Sequence, residues 1–403
     1  METKKQIAHR NFGIPADDKI ILSIDGGGMR GILTIQLLKK LETVAGSPCY
    51  EWCDMVAGTS TGGIIAALIL KKKSAIEIEE LYVKLVSRVF TRRNILANRF
   101  YNPPAFDKKN YRNLLKEIIG ESTIQEVCAE TGVDCLITAK DMTAGEETFF
   151  TCVNNGGNFI GTYKTVLLRG VMEATMSAPT YFTPFERFID GGTTTYNNPA
   201  LAAVLEALEY TGQGKYNSDQ LTVFSFGTGT SLQFIASDDT QEPKGIDALF
   251  WLNYVMSETG KDASEMQIDL LRSGLIKGLK LRRYQISFDE ESMAKLPNEK
   301  IAHIHALKAD WLHTLKNREL ADIDMADVSM FPLMIAIGDA MADFICPPNE
   351  VNLPIAEQKG NWFRSDFINN TTGRGILVTA RGDIPTIKSN LENKSWIEKQ
   401  PTA

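Results

Sequence analysis

The stretch Val56-Ala57-Gly58-Thr59-Ser60-Thr61-Gly62-Gly63 decides how the chain is read. One apolar run leads into it and a second, Ile64 to Leu70, leads out. Gly58 and Gly62 bracket Ser60 in a G-x-S-x-G spacing. That spacing makes a strand-to-helix turn so sharp that the serine hydroxyl stands exposed. The flanks must be glycine because a Cβ there would strike neighbouring backbone. The helix that follows points its positive end back at Ser60, where an oxyanion would form. The pattern is short, so an incidental serine in a glycine-rich turn is the plain alternative. The surrounding sequence separates the two readings.

Upstream, Lys19 to Asp25 reads as a short buried strand, followed by Gly26-Gly27-Gly28-Met29-Arg30-Gly31 and a helix to about Ala45. Leu33, Leu37, Leu41 and Val44 share one face of that helix, and Gly46 ends it. Three glycines between strand and helix expose backbone N–H groups around a small concavity, an anion-binding arrangement. Gly26, Gly28 and Gly31 also satisfy G-x-G-x-x-G, so a dinucleotide fingerprint is a competing reading. Two features oppose it: Asp25 would stand beside the pyrophosphate, and no clear strand ending in an acidic residue follows about twenty positions later.

Downstream, a second strand from about Asp54 to Ala57 enters the serine turn, and Lys71-Lys72-Lys73 suit the C-terminus of the next helix. Ser74 and Glu77 form a capping box for a helix to about Phe90. The irregular stretch Thr91 to Phe106 carries Arg92, Arg93, Arg99, Phe100, Tyr101, Pro103 and Pro104. It reads either as a lipid-touching loop or as a loop packed on the body. Asp107 caps a helix that ends at Gly120. Strands follow at Asp134 to Lys140 and Glu147 to Val153, then a helix from Val166 to Met176 that Ser177-Ala178-Pro179-Thr180-Tyr181-Phe182 breaks. Phe185 to Ile189 is a strand running into Asp190-Gly191-Gly192, and Asn197-Asn198-Pro199-Ala200 opens a helix to about Tyr210. Leu221 to Phe226 is a strand closed by Gly227-Thr228-Gly229.

Beyond residue 230 the pattern predicts helices at Ile246 to Thr259, Ala263 to Leu271, Glu299 to Leu315 and Met325 to Phe344, with a strand at Arg282 to Ser287. Strands alternating with helices predict an α/β protein, a three-layer α/β/α sandwich with a largely parallel central sheet. Such sheets place their chemistry in loops at the carboxyl ends of the strands. Asp25 to Gly28, Ser60 and Asp190 all fall there. The expected organisation is a lead-in at 1–18, one domain at 19–345 and a peripheral extension at 346–403.

The 403 residues are 43% hydrophobic and 23% charged, an ordinary globular composition. A net charge of −7 argues against a nucleic-acid polymer as partner, and it leaves any lipid contact to local features. Met1 to Asp18 lacks the apolar core of a secretory leader. No run is read as approaching the ~18 apolar residues of a membrane span; the longest, Ile64 to Leu70, is read as a buried helix. Cys49, Cys53, Cys128, Cys135, Cys152 and Cys346 are scattered and complete no zinc site, so they read as reduced thiols of a cytoplasmic protein.

Asp-Gly-Gly-Gly-Met-Arg-Gly at 25–31, Gly-Thr-Ser-Thr-Gly-Gly at 58–63, Ser-Ala-Pro-Thr-Tyr-Phe at 177–182 and Asp-Gly-Gly at 190–192 occur in that order. Together they resemble the patatin-like phospholipases, acyl hydrolases related to cytosolic phospholipase A2. The resemblance covers roughly residues 19 to 345 and departs from the family pattern at none of these positions; the tail after 346 has no counterpart in it. It implies a nucleophilic Ser60, a partner Asp190, and an oxyanion hole from Gly26, Gly27, Gly28 and Arg30, with no metal or cofactor. It implies a phospholipid or other glycerolipid substrate, met by transient contact with a membrane surface. Some bacterial members are switched on by cyclic nucleotides in anti-phage defence, a role that the resemblance permits here.

The chemistry is coherent without the family. Ser60 needs a base and its tetrahedral intermediate needs donors. Asp190 can accept the proton if an apolar groove raises its pKa. Two other readings compete. The order Ser60, Asp190, then His303, His305 or His313 fits a Ser-Asp-His esterase of the α/β-hydrolase type. Against it, those histidines lie in a helical stretch, and His303 and His305 are too close in sequence to share a helix face. The other is a non-enzymatic nucleotide-binding module built on Gly26 to Gly31, which leaves the Ser60 turn without a purpose.

Overall fold

Strand β1 (Lys19–Ile24) alternates its apolar side chains between two faces, and both faces are covered. Ile20, Leu22 and Ile24 join one hydrophobic cluster while Ile21 joins another. A strand buried on both sides is the mark of a sheet sandwiched between helical layers. The computed structural model describes residues 2–90, 106, 108–179, 181–230, 248–288, 293, 296–307 and 325–350; for 110, 248–257 and 305–307 it describes the backbone alone. The basic and aromatic residues from Arg92 to Pro104, the Asp107 cap, His313 and the extension beyond 350 lie outside the described residues.

Eight strands are described: β1, β2 (Met55–Thr59), β3 (Asp134–Asp141), β4 (Glu146–Asn155), β5 (Asn158–Ile160), β6 (Phe188–Asp190), β7 (Leu221–Phe226) and β8 (Lys280–Tyr284). They form one sheet in the order β5-β4-β3-β2-β1-β7-β8, with β6 paired to β3. The pairs β3–β2, β2–β1, β1–β7 and β7–β8 are parallel; β4, β5 and β6 join antiparallel. The sheet is therefore mixed and mostly parallel, as the alternation of strands and helices implies.

One helical layer holds α1 (Lys4–Phe12), α2 (Gly31–Ala45), α3 (Thr61–Leu70), α4 (Ala75–Val89), α5 (Lys108–Ile119), α6 (Ile124–Thr131), α7 (Leu168–Thr175), α10 (Asn298–Leu307) and α11 (Phe331–Ile345). The opposite face carries α8 (Ala200–Glu209) and α9 (Ala248–Arg272). All ten residues of α3 are buried, as its unbroken apolar run requires. Gly46 closes α2 at φ 75°, and Ser74 and Glu77 cap α4 reciprocally.

Three expectations change. The stretch 1–18 contains α1, whose Phe12 is fully buried and meets Trp52 and Phe224 edge-on at 5.3 and 5.4 Å. The two helices expected between 246 and 271 are one, α9. The expectation that no run nears membrane-span length is also corrected: Val328–Ile345 has mean hydropathy 1.6 over 18 residues, long and apolar enough by length and composition. Asp339 and Asp343 divide that run in the sequence and disguise it. In the fold it is a core helix, with Asp343 held by Lys40 and Lys300 at 2.8 and 3.1 Å.

Helix α11 lies close against α2 at Gly338. A Cβ there would come within 2.8 Å of Gln36 Cγ and 3.0 Å of the Leu33 carbonyl oxygen. Gly338→Ala is expected to destabilise the protein by about 1–3 kcal/mol through overpacking. The denaturant midpoint measures this, and an unchanged midpoint would show that the two helices part freely.

Candidate active site

Ser60 sits between β2 and α3 with φ 53° and ψ −122°, a conformation rare for a residue with a Cβ. Its neighbours enforce it. A Cβ on Gly58 would lie 2.5 Å from the Gly62 carbonyl oxygen, and one on Gly62 would lie 2.4 Å from the Ile24 carbonyl oxygen. Strand β1, strand β2 and the first turn of α3 thus meet at distances only glycine permits. The Ser60 N–H donates to Thr175 Oγ1 at 2.8 Å, and that hydroxyl donates to the Thr138 carbonyl at 2.7 Å. Strain at one residue persists where the surroundings hold it this firmly.

Sheet register brings Asp190 to the same point. Strand β2 pairs with β3 as far as Thr59 opposite Thr138. Strand β6 takes the vacated lane one residue on, with Asp190 opposite Ala139. Ser60, leaving β2, therefore meets Asp190, entering from β6. The Ser60 hydroxyl donates to Asp190 Oδ2 at 2.6 Å, and the Gly192 N–H donates to Oδ1 at 2.6 Å. Asp190 is buried, and this desolvation pushes its pKa up to about 6, while the Ser60 and Gly192 hydrogen bonds pull the other way.

The glycine loop lies against the serine: a Cβ on Gly26 would approach Ser60 Cβ to 3.3 Å. Gly28 has φ +59°. The N–H groups of Gly27 and Gly28 have no hydrogen-bond partner among the described residues. Gly26 differs from the expectation, because its N–H donates to the Asn197 carbonyl at 3.1 Å and is not available to a substrate. Arg30 Nε is directed at the Gly27 carbonyl, 3.4 Å away, so this contact braces the loop from behind. The Tyr82 hydroxyl donates to the Gly28 carbonyl at 2.6 Å, and the Met29 N–H donates to the Met325 carbonyl at 2.7 Å. Asp25 faces away from the loop, in a buried ion pair with Arg283 at 2.6 Å. Burial raises the Asp25 pKa and Arg283 draws it down.

Of the candidate histidines, only His303 has a described side chain. His303 is exposed on α10, and the side chain of His305 lies outside the described residues, as does His313. The Ser60–Asp190 contact is direct, with no imidazole between them. Among the described residues no group of three or more His, Cys, Asp or Glu gathers as a metal site. Around the loop expected at 91–106, the described residues Phe90 and Phe106 meet edge-on at 5.3 Å, and Phe106 stacks with Tyr181 at 5.9 Å. Phe90 and Phe106 both lie against Tyr181 and Phe182, in the same stretch as Ser177, whose carbonyl accepts the Asp190 N–H at 3.1 Å.

Thr138, Thr175, Asn197 and Thr228 are site neighbours that sequence reading passed over. Asn197 and Thr228 had a signal, since each follows a strand at its carboxyl end, where the chemistry gathers. Thr138 and Thr175 had none, because a threonine inside a strand or helix reads as ordinary packing.

Residues 22–204 match the family model described as patatin-like phospholipase. A "cUMP-AMP-activated phospholipase" of Escherichia coli is 27% identical, over 74% of this chain and 88% of its own length. A human "Calcium-independent phospholipase A2-gamma" is 29% identical over 68% of this chain, which spans only 39% of that protein. "Patatin-03" of Solanum tuberosum is 25% identical over 68% of this chain and 76% of its own length.

Folding lifts the Asp190 carboxyl from 3.8 to about 6. Its ionised form therefore weakens the fold: the cost is absent below the unfolded value and complete above the folded one. Asp190→Asn, which cannot ionise, is expected to raise the thermal midpoint at about pH 8 and to lose that benefit by about pH 4. A pH-independent effect of the substitution on the midpoint would mean that the carboxyl is not held high.

Proposed function

We propose that this chain, a member of the patatin-like phospholipase family through its residues 22–204, is a serine acyl hydrolase that cleaves fatty-acyl esters of membrane glycerolipids. The family's named relatives are phospholipases and patatins, so hydrolysis of carboxylic esters is the class of activity. The observation that carries the finer reading is the 2.6 Å hydrogen bond from a strained Ser60 to a buried Asp190.

In this mechanism Ser60 Oγ attacks the ester carbonyl carbon as its proton passes to Asp190 Oδ2. The carbonyl π electrons move to oxygen, and the Gly27 and Gly28 N–H groups, together with the positive end of α3, receive that charge. Collapse expels the alcohol portion of the lipid, which takes the proton from Asp190. Water then attacks acyl-Ser60 as Asp190 takes its proton; collapse breaks the bond to Ser60 Oγ, which recovers that proton from Asp190, and the fatty acid leaves. A carboxyl titrating near 6 is ionised at neutral pH yet far more basic than an exposed aspartate. We assign the work to a cytoplasmic enzyme at a membrane surface, within the segment 19–345.

Direct contact between Ser60 and Asp190 favours a dyad over a Ser-Asp-His triad. It also gives the serine turn a purpose that a nucleotide-binding module would not. A cyclic-nucleotide activator is a second element of the proposal, supported by the Escherichia coli relative, which aligns well beyond residues 22–204 in extent.

A fluorophosphonate probe is expected to label Ser60, and Ser60→Ala to abolish labelling and hydrolysis of phospholipid vesicles. Labelling that persists in a folded Ser60→Ala protein would overturn the assignment. His303→Ala, His305→Ala and His313→Ala are each expected to stay within about tenfold of wild type, since a lost base costs 10²–10⁴. A thousandfold loss in one of them, still folded, would restore the triad.

The rate against pH gives an independent check. kcat/KM is expected to fall as pH drops through about 6, where Asp190 takes up a proton. A profile flat from about pH 4 to 8 would remove Asp190 as base.

A further inference from the structure

The Gly27 and Gly28 N–H groups, without a partner among the described residues, are held from behind, one of them by Thr228. In a trans peptide the C=O and N–H point in opposite directions. The Gly26–Gly27 peptide offers the Gly27 N–H on one side, without a partner among the described residues. On the other side the Gly26 carbonyl accepts the Thr228 hydroxyl at 3.0 Å and the Asn197 Nδ2 at 3.4 Å. Thr228 is only 3% exposed and follows β7, whose Phe226 carbonyl accepts the Asp25 N–H at 3.0 Å. A Cβ on Gly27 would stand 2.2 Å from Thr228 Oγ1, so hydroxyl and loop are fitted to each other. Asn197 braces the same loop twice, since its carbonyl also accepts the Gly26 N–H.

We infer that Thr228, seconded by Asn197, is a positioning residue that aims and polarises the Gly27 N–H for the oxyanion. The inference rests on the hydrolase reading above. The Thr228 hydroxyl is bonded to the Gly26 carbonyl, so it acts through the peptide. A hydrogen bond accepted at the carbonyl draws electron density from the amide and makes its N–H a better donor. It also fixes the plane of the peptide, and a donor to an oxyanion works only when aimed before the charge develops. Gly28 has the matching arrangement, with Arg30 Nε on the Gly27 carbonyl. The Gly27 and Gly28 N–H groups therefore each have a side-chain donor at their back.

Removing a whole oxyanion donor costs about 10²–10³ in kcat. Loosening one should cost less, about ten- to thirtyfold by the same scale. Three variants of the full chain separate hydroxyl from bulk: Thr228→Val keeps shape and loses the hydroxyl, Thr228→Ser keeps the hydroxyl, and Thr228→Ala lacks both methyl and hydroxyl. With phospholipid vesicles as substrate, Thr228→Val is expected to lose about ten- to thirtyfold in kcat, with KM within about twofold and the acid limb of the pH profile unmoved. Thr228→Ser is expected to stay within about threefold of wild type and to exceed Thr228→Ala by about tenfold.

The serine–alanine ratio decides the matter even where the valine variant fails to fold, because those two differ only in the hydroxyl. Equal kcat for Thr228→Ser and Thr228→Ala, or a fall that appears in KM alone, would overturn the inference. Ser60→Ala in the same series keeps the two readings apart. Hydrolysis retained in Ser60→Ala breaks the hydrolase reading itself, whereas a dead Ser60→Ala beside equal serine and alanine variants breaks only the role of Thr228.

Discussion

The site depends on a change of neighbours along β3. Through Thr138 that strand is flanked by β2; from Ala139 onward its neighbour on the same side is β6. Because β4 runs along the other side of β3 throughout, β6 can only occupy the lane that β2 leaves. Backbone hydrogen bonds fix that handover to the residue. Ser60 and Asp190, 130 positions apart, therefore arrive end to end and close to 2.6 Å. Thr138 stands at the junction, with its hydroxyl against Thr59 and its carbonyl accepting from Thr175. A Cβ on Gly191 would lie 2.1 Å from that same Thr138 hydroxyl, so the Asp190 loop can approach only as glycine.

Desolvation then turns this geometry into chemistry. The two charged groups at the carboxyl end of β1 and β6 are treated differently. Asp25 is buried and paired with Arg283 at 2.6 Å; burial raises its pKa and Arg283 offsets part of that rise. Asp190 is equally buried, and among the described residues its carboxylate meets the Ser60 hydroxyl and the Gly192 N–H and no countercharge; burial raises its pKa to about 6. A buried carboxylate without a countercharge is costly, and in the proposed mechanism that cost is what suits it to act as base. On the proposed mechanism, the strain at Ser60 and the burial of Asp190 are both places where stability is given up for reactivity.

Much of this was legible in the sequence. The apolar runs after Lys19 and before Ser60 read as buried strands, and the glycines at 58 and 62 required close approaches that the structure contains. The pairing of Ser60 with Asp190 was legible only through the family resemblance, because nothing local encodes a contact 130 residues apart. The loop's hydrogen bonding was not legible. A motif marks three glycines as equivalent, yet Gly26 spends its N–H on Asn197 while Gly27 and Gly28 do not. The apolar helix α11 was hidden by Asp339 and Asp343, polar residues that a helical face can tolerate and a linear scan counts as breaks.

The central claim is that Asp190 is the base for Ser60, and Asp190→Asn tests it most directly. The substitution keeps size and most hydrogen bonding while removing the proton acceptor. Single-turnover hydrolysis of phospholipid vesicles should fall by at least ~10² with vesicle binding nearly unchanged, since the carboxylate acts on the transition state. Near-normal turnover in the folded variant would contradict the account and reduce Asp190 to the first residue of a turn.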